Sequence, residues 1–229
     1  MAKEVPVDTI EEKYVRAMGP ELGRLFAQFF NECAWLHVKW GEFVVLFGTN
    51  PERIDLLNNA AGGFFRIVQD ALWENVLLHI ARLTDRPNTT GKANLTLKRL
   101  PQLVSQELKL DVEKRLSEVE QKAKFARDWR NRHIAHSDLA LSLREKNLIP
   151  LASASRKHVR DVLEAIVTLL NTVESHYRGA EVFYELTRPL KGAERLLYVL
   201  RDGLNAEEQR QKRFDEGKAW PEDFGGPAI

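Results

Sequence analysis

Arg130, His133 and His136 stand at the end of a long amphipathic segment, in the stretch Trp-Arg-Asn-Arg-His-Ile-Ala-His-Ser-Asp at positions 129–138. The apolar residues before them recur every three or four positions, as on one face of a helix: Val112, Leu116, Val119, Ala123 and Ala126. Arg130 and His133 take the next two positions of that row. A guanidinium there needs a partner, or it lines a cleft or an interface.

The side chains of this stretch suit chemistry on a phosphate group. A histidine accepts or returns a proton near neutral pH, because the pKa of a free imidazole is about 6.5. An arginine presents a planar charged fork that matches phosphate oxygens and stabilises negative charge in a transition state. The spacing alone is a weak pattern, since Arg127 stands in the same relation to His133 as Arg130 does to His136.

The neighbours of this pair resemble the signature of the HEPN superfamily, the nucleotide-binding domains of higher eukaryotes and prokaryotes. Arg130-Asn131, an aliphatic residue followed by alanine, and His136-Ser137-Asp138 carry that resemblance. The stretch Leu-His-Ile-Ala-Arg-Leu-Thr-Asp at 78–85, with Leu-Thr-Leu at 95–97 after a short loop, is similar to the AbiU-type branch, named after abortive phage infection. The resemblance covers about residues 20–180.

The resemblance implies an all-α, antiparallel helical bundle that cleaves RNA without a metal, the 2′-hydroxyl of the RNA attacking the adjacent phosphate. It gives the catalytic roles to Arg130, Asn131 and His136, with Asn131 orienting the phosphate or the histidine. Further candidates for contacts with RNA or a nucleotide are Arg132, His133 and Arg82. The AbiU-like branch implies a toxin-like component of phage defence, which acts with an antitoxin or another defence protein.

One copy of the motif makes an incomplete site if its helix is regular. Residues six apart on an α-helix differ by about 240° in azimuth and about 9 Å in rise, so Arg130 and His136 face different directions. A twofold interface would bring two motif helices around one cleft. The resemblance also implies a homodimer.

Two other interpretations stay open. The motif is also compatible with a non-catalytic HEPN module that binds a nucleotide, an RNA or a protein partner. In a purely structural interpretation, Arg130 neutralises an acidic residue of a neighbouring helix and His136 complements a helix C-terminus. Arg82 and Asp85 are then a basic helix end followed by an Asp-initiated turn.

Metal binding is a further alternative, because four histidines lie on three predicted helices: His37, His79, His133 and His136. The chain has no Glu-x-x-His or His-Glu-x-x-His spacing, and structural histidines explain the pattern more simply. The single cysteine, Cys33, excludes an intrachain disulfide and a cysteine zinc cage. We therefore expect no metal and no cofactor.

Composition agrees with a folded protein of ordinary charge. Of the 229 residues, 44% are apolar and 29% are charged, which is enough for one core with an appendage. The net charge of +1 argues against a uniformly basic surface but permits a local basic cleft. No apolar run approaches about 18 residues and the first residues show no signal peptide, so we expect a cytoplasmic protein without a membrane span.

Helical periodicity dominates the chain and positions the candidate residues. Asp8 with Glu11 predicts the cap of a first helix that Gly19-Pro20 ends. Longer helices are predicted at 21–47, 51–82, 110–135 and 155–177, with a kink at Gly62-Gly63, a loop at 84–94 and a short helix at 95–107 that Pro101 disturbs. Residues 1–180 are predicted to form the HEPN-like bundle, and residues 181–229 a helical or irregular extension ending in a tail.

Overall fold

The computed structural model describes residues 9–48, 50–89, 91–135, 138–143, 149–187, 189 and 191–225. Its α-helices are α1 (Ile10–Met18), α2 (Pro20–Phe47), α3 (Pro51–Leu83), α4 (Leu100–Leu103), α5 (Gln106–Lys122), α6 (Lys124–Trp129), α7 (Leu139–Leu143), α8 (Arg156–Arg178) and α9 (Ala193–Asp215). A π-helical segment, Arg130–Ile134, follows α6 directly. Short 3₁₀ turns lie at Leu97–Arg99, Tyr184–Leu186 and Pro221–Phe224. The predicted mostly helical fold is confirmed.

The predicted loop at 84–94 contains a small hairpin. Strand β1 (Asn88–Thr89) pairs antiparallel with β2 (Lys92–Ala93). The guanidinium of Arg99 holds the hairpin, because its Nε donates to the carbonyl of Asn94 over 2.7 Å and its Nη2 donates to the carbonyl of Pro87 over 2.6 Å. Two-residue strands are too short to show alternation in the sequence.

The described residues fall into two compact units. Unit 1 lies within residues 1–40 and 73–187, and unit 2 lies within residues 41–72 and 188–229. The division of the chain into a bundle of residues 1–180 and an extension of residues 181–229 stays a prediction. None of the helices in the described part of the chain has the length and apolar character that crossing a membrane requires.

The core of unit 1 is formed by the apolar faces of α2, α3, α5 and α8. The row predicted for α8 is buried throughout: Val159, Val162, Ile166, Leu169 and Val173. The row predicted for the motif helix is buried as far as Ala126, and the side chains of Arg130 and His133 at its end remain 24% and 50% exposed. The buried apolar row of this helix therefore ends directly before Arg130 and His133, the candidates for the functional site.

Helices α1 and α2 meet at a tight corner in unit 1. The cap of α1 is Thr9 with Glu12, one residue later than the predicted pair; Asp8 lies outside the described residues. Gly19 ends α1 with a φ of 81°. A Cβ on Gly23 would lie 2.5 Å from the Cα of Val15, so the two backbones touch where only a glycine fits.

Unit 2 has a smaller core of its own, formed by Leu46, Leu57, Phe65, Ala193 and Leu197. Asn50 caps α3 as predicted, since its Oδ1 accepts from the backbone N–H of Arg53 over 3.0 Å. The α3 backbone leaves helical geometry at Ala61, next to the predicted glycine kink.

The end of unit 2 was predicted as a tail, and its described residues are ordered against α9. Asp223 accepts a hydrogen bond of 2.8 Å from Nε of Arg213, whose guanidinium lies 4.2 Å from the centre of the Trp220 ring. These contacts hold the 3₁₀ turn of residues 221–224 in place.

Candidate functional site

The motif lies on a π turn. The single helix predicted at 110–135 is wrong in its second half: a turn at Ala123 separates α5 from α6, and residues 130–134 are π-helical. The backbone N–H of Ala135 donates to the carbonyl of Arg130 over 2.8 Å, which is the five-residue hydrogen bond of a π turn. The azimuth of 240° calculated for a regular α-helix therefore does not apply here. π turns inside helices are frequent at functional sites, and they also occur where helices end, as α6 does here.

Arg130 is held by two neighbours. Its Nη1 pairs with the carboxylate of Asp85, and its Nε donates to Oδ1 of Asn131 over 2.9 Å. The side chains of Arg130 and Asp85 are 24% and 25% exposed, so the pair is neither freely solvated nor sealed in the core. Among the residues that the structure describes, these contacts use two of the five N–H donors of the guanidinium, and the others can donate to an anion.

The end of α3 fixes the position of Asp85. The hydroxyl of Thr84 donates to the carbonyl of Ile80 over 3.0 Å, inside the last turn of the helix. The buried Thr96 donates its hydroxyl to the carbonyls of Leu83 and Asp85, over 3.1 and 2.8 Å. The stretches 78–85 and 95–97 are thus joined by these hydrogen bonds, and together they present a carboxylate to Arg130.

Asp85 is the residue of the site that the sequence interpretation missed. The sequence placed it in a charged cluster near the site and favoured the start of a turn at a helix end, with no catalytic or positioning role for Asp85 itself. Its partner is 45 residues away along the chain, and helical periodicity carries no information over that distance. The sequence feature that could have identified Asp85 is its position in the stretch 78–85, which carries the resemblance to AbiU-type HEPN domains.

His133 lies beside the site with one acidic neighbour. Its Nε2 is 3.5 Å from a carboxylate oxygen of Glu74, and its ring stands edge-on to Trp129 at 5.4 Å between centroids. Trp129 is fixed in turn, because its indole N–H donates to the carbonyl of Ala152 over 2.8 Å. His133 is therefore supported from one side and half exposed on the other.

Arg132 is engaged with the chain that follows the motif. Its guanidinium lies 3.6 Å from a carboxylate oxygen of Asp128 and 3.6 Å from one of Asp138. It also donates to the carbonyls of Ile149 and Pro150, over 2.5 and 3.3 Å. In this arrangement Arg132 positions the connector between the motif and α8, and its predicted contact with RNA stays a prediction.

The remaining candidates are not all brought together. Asn131 is exposed and touches Arg130, while Arg82 is exposed near the end of α3. His136 and Ser137, the last part of the motif, lie outside the described residues. The structure therefore places Arg130, Asn131 and His133 on one π turn, and the position of the proposed proton-transfer group stays a prediction.

A buried histidine lies one turn before Arg82. His79 is 4% exposed, its Nδ1 is 3.4 Å from Nζ of Lys39, and its Nε2 is 2.7 Å from a carboxylate oxygen of Glu32. Burial and then the charge of Lys39 lower the pKa of His79 to about 4, against the opposing effect of Glu32. The ring is therefore neutral at pH 7. In the neutral tautomer that accepts from Lys39 at Nδ1, the proton lies at Nε2, close to the carboxylate of Glu32 but without hydrogen-bond geometry.

The histidines that motivated the metal alternative have different neighbours. His37 stacks on Tyr184 at 5.8 Å between ring centroids, His79 pairs with Glu32, and His133 faces Glu74. Among the residues that the structure describes, no three histidine, cysteine or carboxylate side chains are grouped as metal ligands.

A sequence profile of HEPN domains, that of AbiU2, matches residues 19–196. The match spans both stretches that carry the site, 78–85 and 129–138. The chain belongs to the HEPN AbiU2 family. None of the curated proteins and none of the solved structures matches it significantly. The resemblance to an AbiU-type HEPN protein of abortive infection is thereby confirmed, and the profile extends past the predicted limit at residue 180.

Proposed function

We propose that this AbiU2 protein is a metal-independent endoribonuclease that acts as a toxin-like component of phage defence. Arg130 stabilises charge on the scissile phosphate, and Asn131 orients Arg130 or the phosphate. His136 takes the proton of the 2′-hydroxyl as its oxygen bonds to phosphorus. The bond between phosphorus and the 5′-oxygen of the next nucleotide breaks, that oxygen takes a proton from solvent, and the products are a 2′,3′-cyclic phosphate end and a new 5′-hydroxyl end.

The observation that carries this proposal is the way Arg130 is held. A surface arginine samples many rotamers, whereas this one is anchored at Nη1 by Asp85 and at Nε by Asn131. Anchoring two donors of a partly exposed guanidinium fixes the direction of the remaining ones. Fixed donors aimed at developing charge are the largest single contribution to many enzymatic rates.

The π turn supports the same function. It adds a residue to the helix just where Arg130, Asn131 and His133 are presented, so it changes the direction in which each side chain points. Such a turn sacrifices regular helical hydrogen bonding. Turns of this register also end ordinary helices, so the support for this function lies in the side chains that the turn presents together, Arg130, Asn131 and His133.

We propose that the active form is a homodimer in which two motif segments border one cleft. Arg130 has its carboxylate partner within its own chain, so one copy already contains a complete Arg130–Asp85 pair. A second copy would contribute a second arginine and a second histidine to an RNA strand that carries a phosphate at every nucleotide. An antitoxin or another defence protein is the partner that would restrain such an enzyme.

A specific observation favours the alternative, a non-catalytic module that binds a nucleotide, an RNA or a protein. The carboxylate of Asp85 already neutralises Arg130, as it would in a structural ion pair between the end of α3 and the motif. A neutralised guanidinium still donates hydrogen bonds to an anion, but it attracts that anion less strongly at long range.

Cleavage of total cellular RNA in excess chelator tests the proposal. Wild type should cut and leave 2′,3′-cyclic phosphate ends. His136→Ala and Arg130→Ala should each lower the rate by roughly 10²- to 10⁴-fold while the circular dichroism spectrum stays unchanged. Arg115→Ala is the matched control, since Arg115 pairs with Glu118 on the surface of α5, and it should cut like wild type.

Four results would contradict the proposed metal-independent ribonuclease. Wild type that cuts no RNA, or variants at 130 and 136 that cut as fast as wild type, would leave only the binding module. If both variants unfold, Arg130 and His136 stabilise the fold rather than act on RNA. If the chelator abolishes cleavage, the reaction depends on a metal ion and the proposed 2′-hydroxyl mechanism is wrong.

A further inference from the structure

Trp35 is a large aromatic side chain that stays outside the core of unit 1. It is 61% exposed, although it lies on α2 between the buried residues Cys33 and Leu36. Tryptophan contributes more apolar surface than any other residue, and it is enriched where a protein contacts a ligand or a partner. Singly exposed apolar side chains are common on protein surfaces, so the indole becomes informative through the charged side chains beside it.

Two charged side chains share the face of α2 with Trp35. Glu32 precedes it by three positions and Lys39 follows it by four, so the three side chains lie side by side on the helix. The buried ring of His79 connects the outer two, with its Nδ1 3.4 Å from Nζ of Lys39 and its Nε2 2.7 Å from the carboxylate of Glu32. His79 thus holds a fixed cation and a fixed carboxylate on either side of an exposed indole.

Arg82 adds a second cation to this face. It follows His79 by three positions on α3, so it lies on the same side of that helix, and it is exposed. Burial lowers the pKa of Lys39, and Arg82 lies close enough for its charge to lower that pKa as well, so two basic side chains, Lys39 and Arg82, lie together beside Glu32 at the face of α2 that carries Trp35. The chain as a whole carries a formal charge of only +1, so this excess is local.

The face is linked to the proposed reaction centre through the end of α3. The carbonyl of Arg82 accepts the backbone N–H of Asp85 over 3.2 Å, and the carboxylate of Asp85 pairs with Arg130. One turn of chain therefore separates Arg82 from the residue that anchors the catalytic arginine. An RNA strand bound at Arg130 has its neighbouring nucleotides within reach of this turn.

We propose that Trp35, Lys39 and Arg82 form a binding subsite for single-stranded RNA beside the reaction centre. One base stacks on the indole of Trp35, and the backbone phosphates next to it pair with Lys39 and Arg82. Single-stranded RNA fits this surface because its bases can turn outward onto an aromatic ring, which the bases of a duplex cannot do. The inference rests on the proposed function for its substrate class.

Binding of an RNA that cannot be cleaved tests the subsite separately from catalysis. The probe is a fluorescein-labelled, 2′-O-methylated, single-stranded oligonucleotide of about 12 nucleotides, the range that such sites cover. Its anisotropy is measured with the full chain in excess chelator. Trp35→Ala should weaken binding about 5- to 150-fold, and Trp35→Phe should restore most of it, because any aromatic face stacks.

The control is an aromatic side chain that is equally exposed in the same unit. Phe183 is 59% exposed, and Phe183→Ala should bind the probe like wild type. Unchanged affinity in Trp35→Ala would overturn the subsite. So would a Trp35→Ala protein that loses half its mass in light scattering, because the indole would then belong to a contact between two copies of the chain.

Salt dependence tests the two cations. Lys39→Gln and Arg82→Gln should each reduce the slope of log Kd against log salt by about 0.7, the value for one phosphate contact on a single strand. Lys39→Arg should keep the slope, which shows that charge matters rather than the fold around His79. Lys114→Gln, an exposed lysine of α5, should leave the slope unchanged. Equal slopes in wild type, Lys39→Gln and Arg82→Gln would overturn the phosphate contacts.

The two proposals fail in different ways. If RNA is cut normally but the Trp35, Lys39 and Arg82 variants bind the probe like wild type, the subsite is wrong and the ribonuclease stands. If the three variants lose binding and no RNA is ever cut, the subsite stands on a non-catalytic RNA-binding module.

Discussion

Asp85 and Arg130, 45 residues apart in the chain, form an ion pair that joins the end of α3 to the first residue of the π turn. The pair gives the motif arginine a fixed position before any ligand arrives. It also makes Asp85 a positioning residue, which acts through Arg130 and needs no contact with RNA of its own.

The first prediction tests this relationship. Asp85→Asn keeps the shape of the side chain but removes its charge, so Arg130 should lose its fixed direction and RNA cleavage should fall about 10- to 100-fold. Asp85→Asn combined with Arg130→Ala should cut no more slowly than Arg130→Ala alone, because Asp85 acts through Arg130. Asp70→Asn removes the exposed partner of Arg66 on α3 and serves as the control. Additive losses in the double variant would contradict a positioning role.

The second prediction concerns assembly. A cleft bordered by two motif segments requires two copies of the chain, so light scattering at micromolar concentration should give about twice the chain mass of 26.3 kDa. Arg130→Ala should keep that mass if the arginine serves RNA rather than the interface. A monomeric wild type that still cuts RNA would show that one motif is sufficient.

The third prediction concerns acid stability. The pKa of His79 is lowered to about 4 in the folded protein, whereas the imidazole of an unfolded chain titrates near 6.5. Below pH 6.5 the unfolded chain therefore gains a proton that the folded chain does not. The stabilisation that neutral His79 contributes is fully present above pH 6.5. It is lost as the pH falls toward 4, by at most about 1.4 kcal/mol of unfolding free energy per pH unit.

Urea unfolding at about pH 7 and about pH 5 measures this loss in the free energy of unfolding. We expect a difference of about 2 kcal/mol between the two pH values. His79→Gln cannot titrate, so its free energy of unfolding should change less between these pH values than that of wild type. Equal pH dependence in wild type and His79→Gln would mean that His79 is not held neutral in the fold.

The fourth prediction concerns a buried carboxylate in α8. Glu174 is 1% exposed, and its partner is Arg178, whose guanidinium donates over 2.6 Å and lies over the ring of Tyr14. Burial raises the pKa of Glu174, and the charge of Arg178 and a hydrogen bond from Tyr14 oppose that rise by favouring the charged carboxylate. Arg178→Met leaves the charge buried, so thermal or urea unfolding should show a loss of about 2 kcal/mol or more. Lys157→Met breaks an exposed pair on the same helix and should change stability very little.

The sequence was a reliable guide where local rules decide the structure. The buried row of α8, the cap at Asn50 and the corner at Gly19-Pro20 follow from periodicity, from side-chain hydrogen bonding and from backbone freedom, each within a few residues. The two stretches that resemble the HEPN domains led to the family, because they combine polar residue types that a core helix does not need.

The sequence failed where distant parts of the chain meet. Asp85 looked like the first residue of a turn, and nothing nearby indicated that its carboxylate faces Arg130. The motif looked like one regular helix, because an α-helix and a π turn differ by one hydrogen-bond register that packing selects. The hairpin at 88–93 depends on Arg99, which lies on the next helical segment.

The contact between Gly23 and Val15 limits how this chain can vary. A hydrogen atom is the largest side chain that fits at position 23, since even a methyl group would meet the backbone of α1 at 2.5 Å. In a library that carries all twenty amino acids at each position, position 23 should retain glycine alone, whereas Arg24, which is exposed, should accept most residues. Any larger residue would push α1 away and uncover Tyr14 and Met18, so a single atom at this corner decides whether the core stays closed.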